Sequence, residues 1–518
     1  MMSTAKQRWS YLNSSRSGVL ERGRACADLT IPSLLPPENT KENSVLPTPY
    51  QSLGARGVNH LASKLMLSLF PSSTAFFRFR VEEAVLDELS QMGDARIAVE
   101  EFMRKAEERG MRKMELGNLR SVLHTAIKHL IVTGNALLHA PRKGDARMYR
   151  LDQFCVVRDP RGKVLEVVVK EEIHPSSLSP EVRIATAVDL QEDKDKNVEI
   201  YTHIKRTDKD RFEWFQEINE VVVPDSEGRA KAENSPFIPL RWSDAGGEDY
   251  GRGMIEEYLG DLRSLEGLSK AILQFSAVAA KIVFLMNPNS TMDQRQLERA
   301  ESGGIVAGTL QDIEVLQLDK YADFQVSKAV VDELTLRLSH AFLLPSGTVR
   351  DAERVTAEEI RAMAQELEDV LGGTYTVLSQ ELQLPLVRMI ISQLKADGEF
   401  PKLPAANGKP AIEPTIVTGF DALGRGHELN RYRAFIADAK AAFGEQVVLG
   451  YLKAGTGLQK FATAHNIDGG ELIKTDEEVN AERQAAEQQA MMAQASQSVL
   501  EGATPGVVKG MADSYNQQ

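Results

Sequence analysis

The sequence predicts a mainly α-helical protein of the α+β class. Segments at 252–286, 321–343 and 357–396 repeat apolar residues with a period near 3.6, which indicates long helices. The segment 147–241 instead alternates apolar and polar residues, which indicates strands. A hydrophobic content of 42% and a charged content of 26% are typical of a folded chain. With 518 residues, we expect several domains or one large composite architecture.

The N-terminal region is predicted to be helical, with one interruption. A first helix is expected at 7–30, followed by a connector that prolines at 32, 36, 37, 47 and 49 keep irregular. A second helix is predicted at 52–70, where Pro71 ends it, and two more are predicted near 92–110 and 114–138. The connector is therefore expected to be a wrapping arm.

The strands of the middle region are predicted to form an antiparallel sheet at about 147–241. Two β-rich runs flank Asp159-Pro160-Arg161-Gly162, and Pro and Gly supply the backbone angles of a hairpin turn.

The C-terminal half is predicted to contain the longest helices. One helix, about 50 Å long at 1.5 Å per residue, is expected at 252–286. An insert at 287–320 holds a short helix and two β-like runs, and a second helix follows at 321–343. A polar loop at 344–355 leads to a long helix at 356–397, which starts with the capping box Thr356 and Glu359. Gly372, Gly373 and Pro385 are candidate kinks in it.

The last 120 residues give weaker signals. A smaller helical domain is expected within 398–480, after a Pro-rich stretch, and the Ala- and Gln-rich segment 481–518 is expected to be a flexible tail.

Charge and composition restrict the function. A net charge of −13 argues against a protein that grips nucleic acid, because such binding depends on Lys and Arg at phosphates. The same charge is compatible with a surface along which DNA slides. Cys26 and Cys155 have no metal or disulfide spacing and are expected to be buried thiols. Without a secretory signal or a membrane-length apolar run, we expect a soluble cytoplasmic protein with no membrane partner.

Catalytic and cofactor motifs were not found. The glycines of "GFDALGRG" at 419–426 lack the lysine and hydroxyl of a phosphate-binding loop, and no H-E-x-x-H or G-x-S-x-G occurs. His124 and His129 are five residues apart and so do not share a helix face. We therefore expect no enzyme activity, no catalytic residues, no cofactor and no metal site.

The order of the elements favours assembly. Two long helices around a small insert, a polar loop and a long kinked helix leave apolar faces that need neighbours. A ring of identical subunits provides them.

Several stretches resemble the portal, or head-to-tail connector, proteins of short-tailed double-stranded DNA bacteriophages, the podoviruses. They are "TIPSLLP", "LGARGVNHLASKLMLSLFP", "YGRGMIEEYLGDLRSLE", "ERVTAEEIR", "SQELQLPLVRMI" and "PTIVTGFDALGRG". They run in order from residue 30 to about 426. The region after about 430 matches least.

The resemblance implies a ring, usually of twelve subunits, at one capsid vertex in the virion, through which DNA is packaged and ejected. It assigns a wing to 1–250, stem helices to 251–286 and 321–343, and a clip to 287–320. A tunnel loop would be 344–355, the long helix 356–397 would run from wing to crown, and the crown would be 398–480.

The resemblance also implies partners. They are double-stranded DNA held transiently in the channel, the terminase large subunit, tail adaptor or tail tube proteins, and scaffolding and major capsid proteins. The ring would nucleate procapsid assembly in the host cytoplasm.

Two sets of candidate site residues follow. The tunnel loop would present Ser346, Thr348, Arg350, Asp351 and Arg354 to DNA, with the arginines touching phosphates briefly and the acidic residues limiting the contact. The clip helix would present Gln294, Arg295, Glu298 and Arg299 to the packaging ATPase and then to the tail. The plainer interpretations are an ordinary exposed loop between helices and a solvated helix face.

Two other functions remain open. A tail-tube or internal ejection protein would be another virion component, but it would lack this order of helices, insert and loop. A nucleic-acid enzyme would need the catalytic residues that the sequence lacks.

Overall fold

The computed structural model describes residues 4–71, 75–81, 95–188, 196–279, 283–286, 313–316, 321–344, 371–400, 412–416 and 433–444, except 42, 117 and 143, together with isolated positions elsewhere. The chain divides into two compact units, 1–422 and 423–518. The described helices include none that is both long and apolar enough to cross a membrane. Helices predominate over strands in these residues, so the predicted α+β class with a helical majority is confirmed.

The chain begins with two helices where the sequence predicted one. These are α1 (Ala5–Ser15), which starts with a capping box between Thr4 and Gln7, and α2 (Ser17–Asp28). The break lies at Arg16, whose φ of −111° is not helical. Its buried guanidinium donates hydrogen bonds to the backbone carbonyls of Leu151 and Phe154, which explains the departure from helical geometry.

The predicted irregular connector is confirmed, apart from a single 3-10 turn at Pro32–Leu34. The helix predicted next is also confirmed as α3 (Leu53–Leu69), with Val58, Leu61, Leu65 and Leu69 fully buried. After it comes β1 (Phe77–Val81), which pairs antiparallel with β13 (Ile412–Ile416). The sequence predicted neither strand, and 412–416 lies where a helical domain was expected to begin.

Two helices, α4 (Ala95–Leu116) and α5 (Leu119–Thr133), occupy the next predicted helical stretches. The prediction that helix continues to 138 was wrong. Gly134 has a φ of +76° and ends α5 in the left-handed conformation that glycine adopts readily. Residues Asn135–His139 then form β2.

The strands of the middle region, together with β2, form two antiparallel sheets instead of the single sheet predicted at 147–241. A three-stranded sheet has the order β10 (Phe237–Arg241), β2, β3 (Arg147–Tyr149). A six-stranded sheet contains the remaining strands of this region, which are β4 (Phe154–Arg158), β5 (Val164–Ile173), β6 (Val198–Thr207), β7 (Arg211–Ile218), β8 (Val221–Val222) and β9 (Gly228–Lys231). A short helix α6 (Pro180–Ala185) lies between β5 and β6. The hairpin at Asp159–Gly162 is confirmed by the antiparallel pairing of β4 with β5.

One large core holds most of the first unit together. It contains the buried faces of α3 and α5, strand β2 and one face of the six-stranded sheet. A separate small cluster lies on the other face of that sheet, where Trp9 and Leu12 of α1 pack on Cys155, Val168 and Tyr201. Burying these apolar surfaces is the main stabilising contribution.

Paired helices follow the sheets, but the first is shorter than predicted. A single turn, α7 (Met254–Glu257), precedes α8 (Leu259–Ala279). The helix predicted to reach 286 does not, because Val283–Met286 is strand β11, which pairs antiparallel with β12 (Ile313–Leu316). Val283 and Phe284 are residue types that favour strands, and this pairing outweighs the helical period. The second predicted helix is confirmed as α9 (Tyr321–Ala341).

Of the long helix predicted at 356–397, the structure describes residues 371–397. Residues 371–378 are α-helical, Ser379–Gln383 form a π-helical turn, and α10 (Leu384–Ala396) completes it. Pro385 has no N–H and would clash with a carbonyl one turn earlier in a regular helix. The π turn, closed by a bond from Leu384 N–H to Ser379 O, lies directly before that proline. The predicted kink candidate Pro385 therefore coincides with a π turn.

The second unit is described at few positions. Residues 433–443 are helical, and Gly444 with a φ of +82° ends the helix. The predicted flexible tail, 481–518, lies almost entirely outside the described residues.

Candidate functional site: the paired helices and the loop base

Helices α8 and α9 lie side by side and run antiparallel. Arg337 Nη2 lies 3.8 Å from Asp261 Oδ1 at one end, and the Phe275 and Phe324 rings lie 5.7 Å apart at the other. Leu262, Leu265, Leu334 and Leu338 are buried at the end nearest the core. The pair is therefore fixed at one end by the core and projects away from it at the other.

The projecting part exposes apolar side chains. Leu273, Val326 and Val330 are between 41% and 65% exposed. Exposed apolar groups of this kind on neighbouring helices indicate contacts with other chains. The two helices together carry five acidic and four basic residues, so their surface is nearly neutral. Such a surface has little affinity for phosphate.

The C-terminal end of α9 forms a Schellman motif. Leu344 N–H donates to Ser339 O at 2.9 Å and Leu343 N–H donates to His340 O at 3.0 Å. Leu343 has a φ of +52°, a conformation that costs an L-residue about 1–2 kcal/mol. Its side chain is buried, which glycine could not provide. The chain therefore leaves α9 in one defined direction.

Helix α3 holds that end of α9. The Leu343 carbonyl accepts a hydrogen bond from Lys64 Nζ at 3.0 Å and lies 3.0 Å from His60 Nε2. His60 and Lys64 are four residues apart and so lie on one face of α3. The buried Phe342 ring packs against Gly57, where any larger side chain would collide with it. Three residues of α3 thus fix the point where the polar loop begins.

The same helix also holds the segment that follows the loop. Ser68 Oγ and Tyr375 Oη are hydrogen-bonded at 3.0 Å, and Gln383 Nε2 donates to Leu69 O at 2.6 Å. All four residues are buried. Both flanks of segment 345–370 are therefore attached to α3, one at its middle and one at its C-terminal end.

A charged network holds the π turn from its other side. Arg241 of β10 makes ion pairs with Glu381 and Asp244, both at 2.7 Å. Burial lowers the pKa of Arg241, but the hydrogen bond and charge of Glu381 outweigh this and leave the pKa raised. This guanidinium thus stays charged and connects the three-stranded sheet to the long helix.

The Pro-rich connector is attached to α8 by Glu266. Its carboxylate accepts hydrogen bonds from the backbone N–H groups of Tyr50 and Gln51 at 3.0 and 3.1 Å. Lys270, one turn further along α8, lies 5.7 Å from the centre of the Tyr50 ring. The connector therefore ends on α8, immediately before α3 begins.

The buried titratable groups of the described residues are chemically quiet. Burial lowers the pKa of His129 and of His139 to about 4, so both are neutral at pH 7. Burial raises the pKa of Cys26 to about 12 and that of Cys155 to about 11, so neither is a thiolate. The prediction of two buried, unpaired thiols is confirmed. The described residues contain no group of three or more His, Cys, Asp or Glu side chains arranged to hold a metal ion.

Most of the predicted site residues lie outside the described part of the chain. This applies to all of the loop residues, Ser346, Thr348, Arg350, Asp351 and Arg354, and to Gln294 and Glu298 of the insert. Arg295 and Arg299 have helical backbone and exposed side chains.

Sequence reasoning missed the residues that support the loop. His60, Lys64, Gln383 and Arg241 each contact a segment more than 100 residues away. No local pattern identifies such a partner. The available signal was the i, i+4 spacing of His60 and Lys64, which places both side chains on one face of α3.

Comparisons with known proteins place the chain in a family. A model described as bacteriophage head to tail connecting protein matches residues 2–473. The portal protein of Enterobacteria phage T3 is 40% identical over 510 residues, 96% of this chain and 92% of that protein. The portal protein of Escherichia phage T7 is 39% identical over 520 residues, 98% and 94% of the two chains.

Similarity to solved structures is lower. The neck of a native gene transfer agent particle, determined with C12 symmetry, has a TM-score of 0.35 and 13% identity, over 74% of this chain and 85% of that one. The two portal proteins and the family model are sufficient to assign the family without the solved structures. The chain belongs to the bacteriophage head-to-tail connecting protein family.

Proposed function

We propose that this protein is the portal subunit of a short-tailed bacteriophage, a structural connector through which double-stranded DNA enters and leaves the capsid. The observation that carries the proposal is 40% identity to a phage portal protein over 96% of the chain. The projecting helix pair with exposed apolar side chains supports assembly into a closed ring, because cyclic repetition covers such surfaces.

Within this function, α8 and α9 are the stem helices, 287–320 is the clip, and 344–355 is the tunnel loop that faces DNA. The nearly neutral surface of the helix pair supports a channel role, since it would let DNA slide without holding it. Attachment of both loop flanks to α3 supports the loop assignment, because a constriction needs rigid supports.

The proposed partners differ between the two ends of the ring. The clip, through Gln294, Arg295, Glu298 and Arg299, docks the terminase large subunit during packaging and the tail adaptor afterwards. The wing and crown face the scaffolding and major capsid proteins. The exposed side chains of Arg295 and Arg299 support a docking role for the clip.

The test is the native mass of the purified protein, with particle images of the same sample. We expect rings of twelve subunits with a mass of about 690 kDa, twelve times 57.2 kDa, and a central hole wide enough for duplex DNA. A stable monomer or an open filament, unchanged by added scaffolding protein, would refute the ring.

The same rings test the two sets of residues in a packaging reaction. Arg350→Ala with Arg354→Ala should change DNA retention while terminase still binds. Arg295→Glu with Arg299→Glu should weaken terminase binding while retention in filled heads is unchanged. Wild-type behaviour of either variant would remove that site from the proposal.

A further inference from the structure

Part of the six-stranded sheet carries a row of exposed cations. Lys205 lies on β6, Arg211 on β7, and Arg229 and Lys231 on β9. All four side chains are exposed, whereas Ile204 and Phe212, their neighbours in sequence, are buried in the main core. Because successive strand residues alternate between faces, the four cations share the face that points away from that core. We call these four residues the basic face.

The strand register places these residues close together. Arg211 is directly opposite Lys231, and Glu213 is directly opposite both Lys205 and Arg229. Residues directly opposite across antiparallel strands have Cβ atoms about 4.5–5.5 Å apart. The basic face is therefore a compact patch and not a set of scattered charges.

Few carboxylates balance this patch. Glu213 lies within it, and Glu233 lies 3.8 Å from Lys231 Nζ. Glu166, opposite Lys205, is already bound by Arg8 and His203. Within the described part of the chain, Lys205, Arg211 and Arg229 make no ion pair. A patch in which cations outnumber carboxylates is unusual in a chain with a net charge of −13.

The opposed pair Arg211 and Lys231 is unfavourable for folding, because like charges directly opposite each other destabilise a sheet. An anionic ligand bound over Arg211 and Lys231 would offset this repulsion and so account for the pair. The ligand must be strongly anionic, since it has to bind against the repulsion of the remaining acidic surface.

The charged character of the exposed side chains of β6, β7 and β9 distinguishes between two classes of ligand. The exposed positions are Lys205, Arg211, Glu213, Arg229 and Lys231. Protein interfaces have an apolar centre from which charged residues are depleted, whereas protein–DNA interfaces are polar and strongly positive. A patch whose exposed side chains are all charged therefore fits a phosphodiester backbone better than an acidic protein.

We propose that the basic face binds the backbone of duplex DNA outside the channel. This proposal rests on the proposed function, which supplies both the duplex DNA and the ring of subunits. Each subunit makes only a few phosphate contacts, but a ring repeats the patch once in every subunit. A DNA segment that lies along several copies gains affinity from each of them.

The experiment uses closed circular plasmid DNA, which cannot thread a ring, and assembled wild-type rings. The dissociation constant is measured over a series of salt concentrations. We expect binding at low salt that weakens as salt rises. In Arg211→Gln with Lys231→Gln, the salt slope should fall in magnitude by about 1.8 for each engaged subunit, at about 0.9 per lost phosphate contact. Its thermal midpoint should equal or exceed that of wild type, because the opposed cations are gone.

A matched control removes the same charge elsewhere. Lys41 and Arg112 are exposed and lie on the connector and on α4, so Lys41→Gln with Arg112→Gln should bind plasmid as wild type does. The proposal is overturned if wild-type rings do not bind plasmid, if the control loses as much affinity, or if polyglutamate displaces the DNA at equal charge. It is also overturned if the Arg211 and Lys231 variant fails to form rings, since the face would then belong to a subunit contact. The native mass of wild-type rings tests the proposed function separately.

Discussion

At the scale of single residues, the carbonyl of Leu343 is the point where α3 holds the end of α9. It lies 3.0 Å from both Lys64 Nζ and His60 Nε2. A left-handed leucine is strained, and strained backbone persists only where its surroundings hold it. The two side chains of α3, together with the buried Leu343 and Phe342 side chains, are these surroundings.

Lys64→Met removes the Lys64 hydrogen bond to the Leu343 carbonyl and keeps most of the apolar part of the side chain. We expect local opening at Leu343 and Leu344 to become about 1 kcal/mol easier, the usual net worth of one hydrogen bond. Hydrogen exchange of the Leu344 amide, which donates to Ser339 O, should then speed up about fivefold.

Lys209→Met, at an exposed turn between β6 and β7, is the control and should leave that amide unchanged. Lys64→Arg should restore most of the protection. Equal exchange in Lys64→Met and wild type would show that His60 and the buried side chains suffice.

At the scale of elements, the π turn at Ser379–Gln383 is held from both sides. Gln383 bonds to the last carbonyl of α3, and Glu381 bonds to Arg241. A π turn is less stable than a regular helical turn and is frequent at functional positions. Here it aligns the helix that leaves the loop with both α3 and the three-stranded sheet.

Gln383→Leu keeps a similar volume but leaves the Leu69 carbonyl without this buried donor. We expect a loss of about 1 kcal/mol of stability, seen as a lower thermal midpoint, because the variant loses the hydrogen bond to Leu69 O. The loss stays near this value because the variant also removes Gln383 Oε1, a buried atom for which the described residues provide no partner. Gln380→Leu changes the same residue type on the exposed side of the same turn and should stay within about 0.5 kcal/mol of wild type. Equal midpoints for the two variants would contradict a supporting role for Gln383.

Element prediction succeeded where the signal was local. Apolar periodicity identified α3 and α9, and the Pro-Arg-Gly turn identified the β4–β5 hairpin. It failed where pairing across the chain decides the structure. Strand β1 pairs with β13 more than 300 residues away, and β11 takes residues whose own period is helical.

In the candidate site, the sequence predicted a loop between two helices but not the residues that attach its flanks to α3. Lys64 and Leu343 are 279 residues apart, and Gln383 and Leu69 are 314 apart. Contacts of this kind depend on how α3 packs in the finished core, which no short segment encodes.

At the scale of the whole molecule, α1 is a separate layer attached to the six-stranded sheet by carboxylates. Glu217 accepts hydrogen bonds from the Ala5 and Lys6 N–H groups at the start of α1, at 2.9 and 3.1 Å. Glu166 binds Arg8 at 2.6 Å and His203 at 2.6 Å. Since α1 otherwise rests on a small apolar cluster, these carboxylates contribute much of its attachment.

The Glu166 contacts make this attachment sensitive to acid. Burial raises the pKa of Glu166, but the hydrogen bonds from His203 and Arg8 outweigh it and lower the pKa from 4.5 to about 2. Because the folded value is below the unfolded one, the stabilisation is complete above about pH 4.5 and is lost as the pH falls towards 2. Its size is on the order of 2 kcal/mol after allowance for solvent screening.

Glu166→Gln therefore tests the layer as a whole. The thermal midpoint, followed by tryptophan fluorescence that includes buried Trp9, should be lower than wild type between pH 7 and about pH 4.5. Below about pH 4.5 the margin should shrink and be largely lost near pH 2, where the folded carboxylate is about half protonated and the unfolded one is almost fully protonated. Glu172→Gln, at an exposed glutamate on the same strand, should show a small margin at every pH. A margin for Glu166→Gln that persists unchanged to pH 2 would mean that its charge does not hold α1 to the sheet.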